Sequence, residues 1–213
     1  MFEFHDIEQN SDEWYSMRGG RLTSSMLGKV MANYGKAFGE PANKYAHQIA
    51  LEQITGNACE SGYSNDNMAR GHEEEPIARA LYEEETFCDV SNGGFFCTDK
   101  IGCSPDGLVD ENGVIEIKSA MASIHYERVR KQSFDSTYKW QLVGNLKFTG
   151  REWIDFISFC SDYPEGKQLY VFRLWAEDLS NEFKQIESRT SEFFEKVSES
   201  KELILSSNYI NIK

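Results

Sequence analysis

Apolar residues recur along the chain at two different spacings, and together they predict a mixed α/β protein. Apolar positions three and four residues apart indicate helices, whereas alternation and short runs of Ile, Val and Phe indicate strands. The helical pattern covers seven segments: 11–17, 26–32, 43–55, 69–85, 123–131, 137–148 and 179–200. Strand patterns cover 87–90, 94–98, two short stretches within 103–120, 152–160 and 168–175.

The order of these elements predicts the architecture. Helices come first, strands cluster in the middle, and helices and two more strands follow, which favours a mixed β-sheet flanked by α-helices. No internal boundary is evident, so residues 1–213 are expected to form one domain. In the 69–85 helix, the pattern predicts that Ile77, Ala80 and Leu81 face inward, and Thr23, Ser24 and Ser25 are expected to cap the 26–32 helix.

A hairpin is predicted around the turn Asp110-Glu111-Asn112-Gly113. Alternation in its second strand places Ile115 and Ile117 on one face and Val114, Glu116 and Lys118 on the other. An exposed Glu and Lys on a solvated strand face are commonplace, and this is the simpler interpretation of the pair.

Asp106 changes this picture, because pairing of the two hairpin strands brings it opposite Glu116. Two facing carboxylates repel each other and contribute nothing to the fold. Mg²⁺ reverses the balance, since it prefers carboxylate oxygens and retains several waters. With Lys118 two residues away, the arrangement suits metal-assisted hydrolysis of a phosphodiester.

The composition excludes several classes of protein. The 213 residues are 40% hydrophobic, with no run of about 20 apolar residues that could span a membrane. The N-terminus lacks the pattern of a secretory signal, so a soluble intracellular protein is expected. Five widely spaced cysteines argue against disulfides or structural zinc, and the four histidines show no metal-ligand spacing.

The net charge of −13 is unevenly distributed. Residues 14–36 contain four basic and no acidic residues, and residues 118–151 contain seven basic and two acidic ones. The acidic residues concentrate in 73–89 and 177–202. Such segregation can steer a polyanion to one face despite the negative total, although solvated helix faces explain the acidic segments equally well.

Five ordered motifs resemble one enzyme family. They are the opening Trp14–Ser25 (W-x-x-x-R-x-G-x-x-T-(A/S)-S), Gly71-His72-Glu73-Glu74-Glu75, Ser104-Pro105-Asp106-Gly107, Glu116-Ile117-Lys118 and Tyr138-Lys139-Trp140-Gln141. In order and spacing they are similar to the lambda-exonuclease (YqaJ-like) type of viral recombinase alkaline nuclease, within the PD-(D/E)XK superfamily. The resemblance covers residues 14–148, and the last 65 residues match only in general character.

The resemblance implies a catalytic centre. Asp106, Glu116 and the backbone carbonyl of Ile117 would ligate Mg²⁺, for which Mn²⁺ could substitute, and Glu75 would serve a second ion or its waters. Lys118 would orient or deprotonate the attacking water. Glu75 is preferred over its neighbours Glu73 and Glu74 because it aligns with the family motif, not because of helical periodicity.

The resemblance also implies a pocket for the 5′ phosphate of the digested strand, formed by Arg18, Thr23, Ser25, Ser104 and Gln141. Arg18 offers a planar fork for two phosphate oxygens. A simpler alternative exists for three of them: Arg18 could pair with a carboxylate, Ser25 could be only a helix cap, and Gln141 could be a solvated helix residue. Met68 is a candidate wedge between the DNA strands, although burial beneath a loop is an equally simple role for it.

The expected function is digestion of one strand of linear duplex DNA, 5′ to 3′, leaving a 3′ single strand for phage-type recombination. A restriction or repair endonuclease of the same superfamily is the alternative, and a DNA-end binding module without catalysis is a third. The family further implies a homotrimeric ring, a single-strand annealing recombinase as partner and action in the cytoplasm of a bacterial host. No membrane partner is expected.

Overall fold

The computed structural model describes residues 1–59 and 66–207, and for residues 66–68 it describes the backbone only. Seven α-helices lie in these ranges: α1 (Asp12–Arg18), α2 (Leu27–Met31), α3 (Glu40–Thr55), α4 (Asp66–Thr86), α5 (Ala122–Lys131), α6 (Lys139–Thr149) and α7 (Ser180–Ser206). Three short 3₁₀ turns precede α2, α6 and α7: Ser24–Met26, Ser136–Tyr138 and Ala176–Leu179.

Nine strands form two sheets in the described ranges. The strands are β1 (Glu3–His5), β2 (Leu22–Thr23), β3 (Val90–Ser91), β4 (Phe95–Cys97), β5 (Ile101–Cys103), β6 (Gly107–Val109), β7 (Gly113–Ser119), β8 (Trp153–Phe159) and β9 (Leu169–Trp175). One sheet has the order β1-β4-β5-β2, and the other has the order β3-β6-β7-β8-β9. The fold is therefore α/β with mixed sheets and flanking helices, as predicted, but the small four-stranded sheet was not predicted.

The five-stranded sheet carries the predicted hairpin. β6 pairs antiparallel with β7, with Gly107 opposite Ile115, and β7 runs parallel to β8. The backbone N–H of Asp106 donates to the carbonyl of Ile115 at 3.1 Å, so Asp106 lies beside β7. Within the predicted turn, Asp110 has a positive φ of 45°.

Both faces of β7 are covered by other elements, which explains why the strand is rich in apolar residues although it carries Glu116 and Lys118. Val114 packs in the larger hydrophobic cluster with α2, α3, α6 and α7, and Ile115 and Ile117 pack in a second cluster beneath α4. The predicted alternation is confirmed. The expected alternative of a solvated face is wrong for Glu116, whose side chain is only 1% exposed.

The inward face of α4 differs from the prediction. Leu81 packs against the second cluster as predicted, but Ile77 is 52% exposed and Ala80 is also exposed. The buried positions are Glu74, Ala78 and Tyr82, spaced by four residues. The polar groups on this face are satisfied by hydrogen bonds, with Tyr82 Oη donating to Asp155 at 2.8 Å. A pattern based on hydrophobicity alone could not have identified a buried face that contains a carboxylate and a phenol.

The segments predicted as strands on either side of Asn92-Gly93 belong to different sheets, with β3 in one and β4 in the other. The chain there passes so close to the loop after β5 that a Cβ on Gly93 would lie 1.8 Å from the carbonyl oxygen of Pro105. Gln9 Nε2 donates to the same carbonyl at 3.0 Å. These contacts fix the loop that carries Ser104 and Asp106.

All five cysteines are free, and Cys97, Cys103 and Cys160 are buried. The described helices include none that is both long enough and apolar enough to cross a membrane.

Candidate active site

Glu116 lies at the centre of a buried hydrogen-bond network. Its Oε1 accepts from Lys118 Nζ at 2.5 Å and from Gln141 Nε2 at 2.5 Å, and its Oε2 accepts from Asn145 Nδ2 at 2.7 Å. The two amides come from α6, which packs across this face of β7. The carboxylate is thus held by three donors on both of its oxygens.

Asp106 is held beside the same strand. Its Oδ2 accepts from the backbone N–H of Ile117 at 2.6 Å, one residue beyond Glu116. Arg79, on α4, donates to the backbone carbonyl of Asp106 and lies 3.6 Å from a carboxylate oxygen of Glu75. The hairpin and α4 therefore bring Glu75, Asp106 and Glu116 to one site, as the sequence predicted.

The carboxyl groups of this site affect each other's ionisation. Burial and the negative charge of Asp106 raise the pKa of Glu116 to about 8, although Lys118 acts in the opposite direction. Burial and Asp106 likewise raise the pKa of Glu75 to about 7. For Lys118, burial lowers the pKa, but the charges of Glu116 and Asp106 outweigh burial and raise it above its ordinary value.

Glu73 and Glu74 do not share this environment. Glu74 pairs with Arg70 at 3.1 Å and accepts from Ser119 and Ser161, so it anchors α4 to the far ends of β7 and β8. Glu73 is exposed. Of the three adjacent glutamates, Glu75 is the one whose charge interacts with Asp106 and Lys118.

The residues present fit a divalent metal. Glu75, Asp106 and Glu116 lie close enough for their negative charges to repel each other, and Lys118 and Arg79 compensate these charges only partly. A hard divalent cation would relieve the repulsion among the three carboxylates. Within the described residues, no three side chains of His, Cys, Asp or Glu are arranged to hold a metal by themselves. Asp106 and Glu116 still offer two carboxylates, and Mg²⁺ commonly takes only one or two carboxylates from a protein and keeps several waters.

A second cluster forms where β2 and the following turn meet α1. Arg18 Nη2 donates to Ser25 Oγ at 3.3 Å, and the hydroxyls of Thr23 and Ser25 lie 3.2 Å apart. The expected capping role is wrong, because neither Thr23 nor the turn after it shows a side-chain cap hydrogen bond. Ser25 is exposed, so its hydroxyl remains available to a ligand.

Arg18 is oriented by stacking rather than by a carboxylate. Its guanidinium lies 4.1 Å from the ring centroid of Trp14, and within the described ranges it forms no ion pair. Burial lowers its pKa from the ordinary value, but an arginine remains charged at any physiological pH. Arg18 therefore presents its charge beside two hydroxyls and, among the described residues, without a carboxylate in direct contact, although the charge of Glu52 acts on it from a distance.

Ser104 and Gln141 lie at the margins of this cluster. Ser104 Oγ accepts from Trp14 Nε1 at 2.9 Å and donates to the carbonyl of Gly94 at 2.7 Å, so its hydrogen atom is already engaged. Gln141 binds Glu116 and lies on the catalytic side. The structure therefore brings Arg18, Thr23 and Ser25 into direct contact, links Ser104 to them through Trp14, and places Gln141 at the carboxylates.

Sequence reasoning did not identify Asn145, and it gave Ser24 only the role of a helix cap. Ser24 and Asn145 are buried, and Ser24 Oγ donates to Asn145 Oδ1. A polar Asn between Val143 and Leu146 on a helix with few charges was the available signal. The side chain of Met68 lies outside the described residues, so its wedge role stays a prediction.

The comparisons with known proteins bear on this geometry. Residues 13–152, more than half of the chain, match the model of the YqaJ-like viral recombinase domain. The chain belongs to the YqaJ-like viral recombinase domain family. This family is the one that the five sequence motifs predicted, and the matched range contains all the candidate site residues.

Solved structures agree with the family. The crystal structure of the alkaline exonuclease LHK-Exo from Laribacter hongkongensis matches with a TM-score of 0.77 and 28% identity, over 92% of this chain and 98% of that one. Its complex with dAMP matches equally well. A phage-related exonuclease from Haemophilus somnus 129PT matches with a TM-score of 0.67, over 90% of this chain and 98% of that one, but at 14% identity it supports the fold alone. No curated protein matches. The YqaJ-like chain is accordingly a nuclease with a PD-(D/E)XK fold.

Proposed function

We propose that this YqaJ-like nuclease is a Mg²⁺-dependent exonuclease that digests one strand of linear duplex DNA from its 5′-phosphorylated end. The proposal extends the family's nuclease activity on DNA to a polarity, an ion and a substrate end. It treats residues 1–213 as one nuclease domain. The product would be a 3′ single strand suited to phage-type recombination.

The observation that carries the proposal is the adjacency of two clusters with different chemistry. One is the carboxylate cluster of Glu75, Asp106 and Glu116, with Lys118. The other is the end cluster, defined here as Arg18, Thr23 and Ser25. Ser24 and Asn145 join them, because Ser24 lies within the end cluster's turn and Asn145 binds Glu116. An endonuclease has no need of a separate site for a terminal phosphate beside its catalytic carboxylates.

The carboxylate cluster supplies the hydrolytic chemistry. Asp106 and Glu116 would hold Mg²⁺, or Mn²⁺ in its place, with the carbonyl of Ile117, and Glu75 would serve a second ion. When bound, such ions lower the pKa of water and neutralise charge that develops on phosphoryl oxygens. Lys118, whose raised pKa keeps it protonated, orients the attacking water and donates to a phosphate oxygen.

The end cluster distinguishes a terminal phosphate from an internal diester. A terminal phosphate has an additional free oxygen and more negative charge than a diester. Arg18 supplies two parallel N–H donors to such a group, and the hydroxyls of Thr23 and Ser25 supply neutral donors beside it. Ser104 acts on this cluster indirectly, by orienting Trp14 under the guanidinium.

Room for a nucleotide exists at the carboxylates. A cavity of about 440 Å³ opens between α4 and the residues before α1, and Glu75, Asp106, Arg79 and His72 are among its lining side chains. This is within the range of small-molecule sites. The similar LHK-Exo has been crystallised in complex with dAMP, which supports a mononucleotide product.

Family membership also motivates the proposed assembly. We expect a homotrimeric ring around DNA, cooperation with a single-strand annealing recombinase, and action in the cytoplasm of a bacterial host that carries the phage or prophage. Each of these rests on the family and not on a contact within the chain.

The test compares linear duplex DNA, labelled at either the 5′ or the 3′ terminal nucleotide, with covalently closed circular duplex. With Mg²⁺, we expect early release of the 5′-terminal nucleotide as a monophosphate and no attack on the circle. Mutated protein with Glu116→Gln serves as the control for contaminating nucleases. Cutting of the circle would favour the endonuclease alternative, and early release of the 3′ label would contradict the polarity.

A further inference from the structure

Asn145 is a buried amide held between two polar partners. It lies on α6 with no exposed surface, and its neighbours Val143 and Leu146 are buried hydrophobic residues. Its Nδ2 donates to Glu116 Oε2 at 2.7 Å, and its Oδ1 accepts from Ser24 Oγ. Neither partner is a structural necessity for α6, because the helix forms its own backbone hydrogen bonds.

The carboxylate of Glu116 fixes which end of the amide faces it, because an ionised carboxylate only accepts hydrogen bonds. If the amide turned over, its oxygen would face Glu116, and two acceptors in contact repel each other. In the observed orientation the amide oxygen faces Ser24, whose hydroxyl donates to it, so both ends of the amide have a partner. Ser24 is 2% exposed, so water does not compete for the bond.

The two oxygens of Glu116 have different surroundings. Oε1 faces Lys118 and Gln141, whose side chains are partly exposed and can move when substrate or metal arrives. Oε2 faces only the buried amide among the described side chains. A neutral amide orients a carboxylate without cancelling its charge, so the charge remains available to a cation.

Close packing keeps Asn145 in place. The preceding residue, Gly144, allows α6 to approach the turn that contains Ser24, since a Cβ there would lie 2.4 Å from Leu27 Cδ1 and 3.1 Å from Ser24 Cβ. A side chain at residue 144 would force Leu27 to shift and would crowd Ser24. The contact between Asn145 and Ser24 therefore depends on a specific helix–turn spacing.

We propose that Asn145 is a positioning residue, which holds Glu116 oriented for a divalent metal and connects it, through Ser24, to the turn of the end cluster. The inference rests on the proposed function, since it assigns Glu116 to the metal and Thr23 and Ser25 to the DNA end. It goes beyond that function, because Asn145 and Ser24 touch neither the metal nor the DNA in it.

The experiment measures Mn²⁺ binding to the full chain without DNA, by electron paramagnetic resonance, for four variants. Asn145→Leu removes the amide at similar volume, and Ser24→Ala removes only the hydroxyl, so it remains informative if the leucine variant does not fold. Asn145→Asp keeps the shape and the acceptor for Ser24 but places a second carboxylate against Glu116. Tyr82→Phe is the matched control, since it removes another buried donor from another buried carboxylate, Asp155.

We expect Asn145→Leu and Asn145→Asp to weaken Mn²⁺ binding about 10- to 100-fold, the usual effect of losing a partner of a metal ligand. Ser24→Ala should weaken it less, and Tyr82→Phe should lower thermal stability without changing Mn²⁺ affinity. A purely structural role predicts the opposite pattern, in which the Asn145 and Ser24 variants lose stability but bind Mn²⁺ as wild type does. That result would overturn the proposal, as would equal weakening by Tyr82→Phe.

Failure of this inference can be told apart from failure of the proposed function. The Mn²⁺ measurement requires no DNA, so it judges Asn145 even if the wild-type protein cuts closed circles. Conversely, wild-type digestion from the 5′ end with unaltered Mn²⁺ binding by the variants would leave the function standing and remove Asn145 from it.

Discussion

At the residue scale, chemistry is concentrated in a few side chains whose charges the fold does not balance. Glu75, Asp106 and Glu116 share one site, and the pKa values of both glutamates are raised to about 7 and about 8. A protein gains nothing in stability from such crowding, since each ionised carboxylate raises the free energy of the others. Crowded carboxylates of this kind mark a functional site rather than a structural one.

Removal of either proposed metal ligand should abolish cleavage. For Asp106→Ala and Glu116→Gln, we expect the rate at saturating Mg²⁺ to fall about 1,000-fold or more. The variants lose several kcal/mol of transition-state stabilisation, and each loss of about 1.4 kcal/mol lowers the rate tenfold. Lys118→Ala should slow the reaction comparably but change Mg²⁺ affinity less, because a lysine cannot ligate the ion. Single-turnover rates across a Mg²⁺ titration measure both quantities, and near-wild-type rates for either carboxylate variant would exclude the two-carboxylate site.

The raised pKa of Glu116 predicts how stability depends on pH in the metal-free protein. Below about pH 4.5 the carboxyl is protonated in both the folded and unfolded states. Between 4.5 and about 8 the unfolded chain ionises while the folded protein retains the proton, so the contribution of Glu116 to stability is lost as pH rises. With a chelator present, the free energy of unfolding of wild type should therefore fall more steeply from pH 5 to 9 than that of Glu116→Gln. Parallel curves from urea titrations would show that the carboxyl is not perturbed.

Sequence reasoning located these residues because motif order and strand alternation both fix local positions. It found Asp106, Glu116 and Lys118 from the hairpin, and it found Arg18 from the motif at Trp14–Ser25 that resembles the family. The hydrogen bond between Asn145 and Ser24 escaped it, because this bond joins residues 121 positions apart and leaves no periodic trace. The exposure of Ile77 was not predicted for a related reason. The buried face of α4 contains a glutamate and a tyrosine, and their hydrogen-bond partners lie on strands distant in sequence.

At the element scale, α4, α6 and the β6–β7 hairpin act as the frame of the site. The hairpin holds Asp106 and Glu116, α6 covers one face of β7 with two amides, and α4 covers the other face. β8, the parallel neighbour of β7, holds the frame to the rest of the sheet. It does so with an ion pair between a buried carboxylate and an exposed arginine: Asp155 accepts from Arg173 at 2.7 and 2.8 Å and from Tyr82.

Breaking that ion pair should reduce stability and spare the chemistry. Asp155→Ala leaves the buried hydroxyl of Tyr82 without its acceptor, which typically costs about 1–3 kcal/mol, whereas Arg173 is exposed enough to be hydrated instead. We expect a loss of about this size in urea unfolding, with cleavage per folded molecule unchanged at temperatures well below the transition. Loss of cleavage in a fully folded Asp155→Ala protein would instead assign this pair to the active site.

At the scale of the whole molecule, the negative net charge of −13 does not prevent the protein from acting on a polyanion. The acidic residues concentrate on α7 and on the end of α4, whereas the end cluster contains an arginine with no ion pair in the described part of the chain. The sequence predicted this segregation and the α/β class. It did not predict the second sheet, because strands of two or three residues carry too little pattern to detect.

The proposed ring makes a direct prediction for the native mass. A homotrimer should have three times the chain mass of 24.4 kDa in native mass spectrometry, at a concentration at which the nuclease is active. Enclosure of DNA should also make digestion processive. A molecule that has begun to digest one strand should then continue after excess competitor DNA is added. A monomer at active concentrations would contradict the ring while leaving the chemistry of the site intact.

The central claim is that the protein digests DNA from a 5′ terminal phosphate, which Arg18 reads. Its most direct test is the initial rate on 5′-phosphorylated and 5′-hydroxyl linear duplex for wild type, Arg18→Ala and Lys36→Ala. Lys36 is an exposed cation of the same segment, so its removal controls for the loss of one charge.

Charge-assisted hydrogen bonds to phosphate contribute about 1.5–3 kcal/mol each, so Arg18→Ala should slow digestion of the phosphorylated substrate about 10- to 100-fold. It should slow the hydroxyl substrate little, so the preference shrinks, whereas Lys36→Ala should leave the preference unchanged. A wild-type protein without any preference, or an Arg18→Ala variant that slows both substrates by the same factor, would contradict the account.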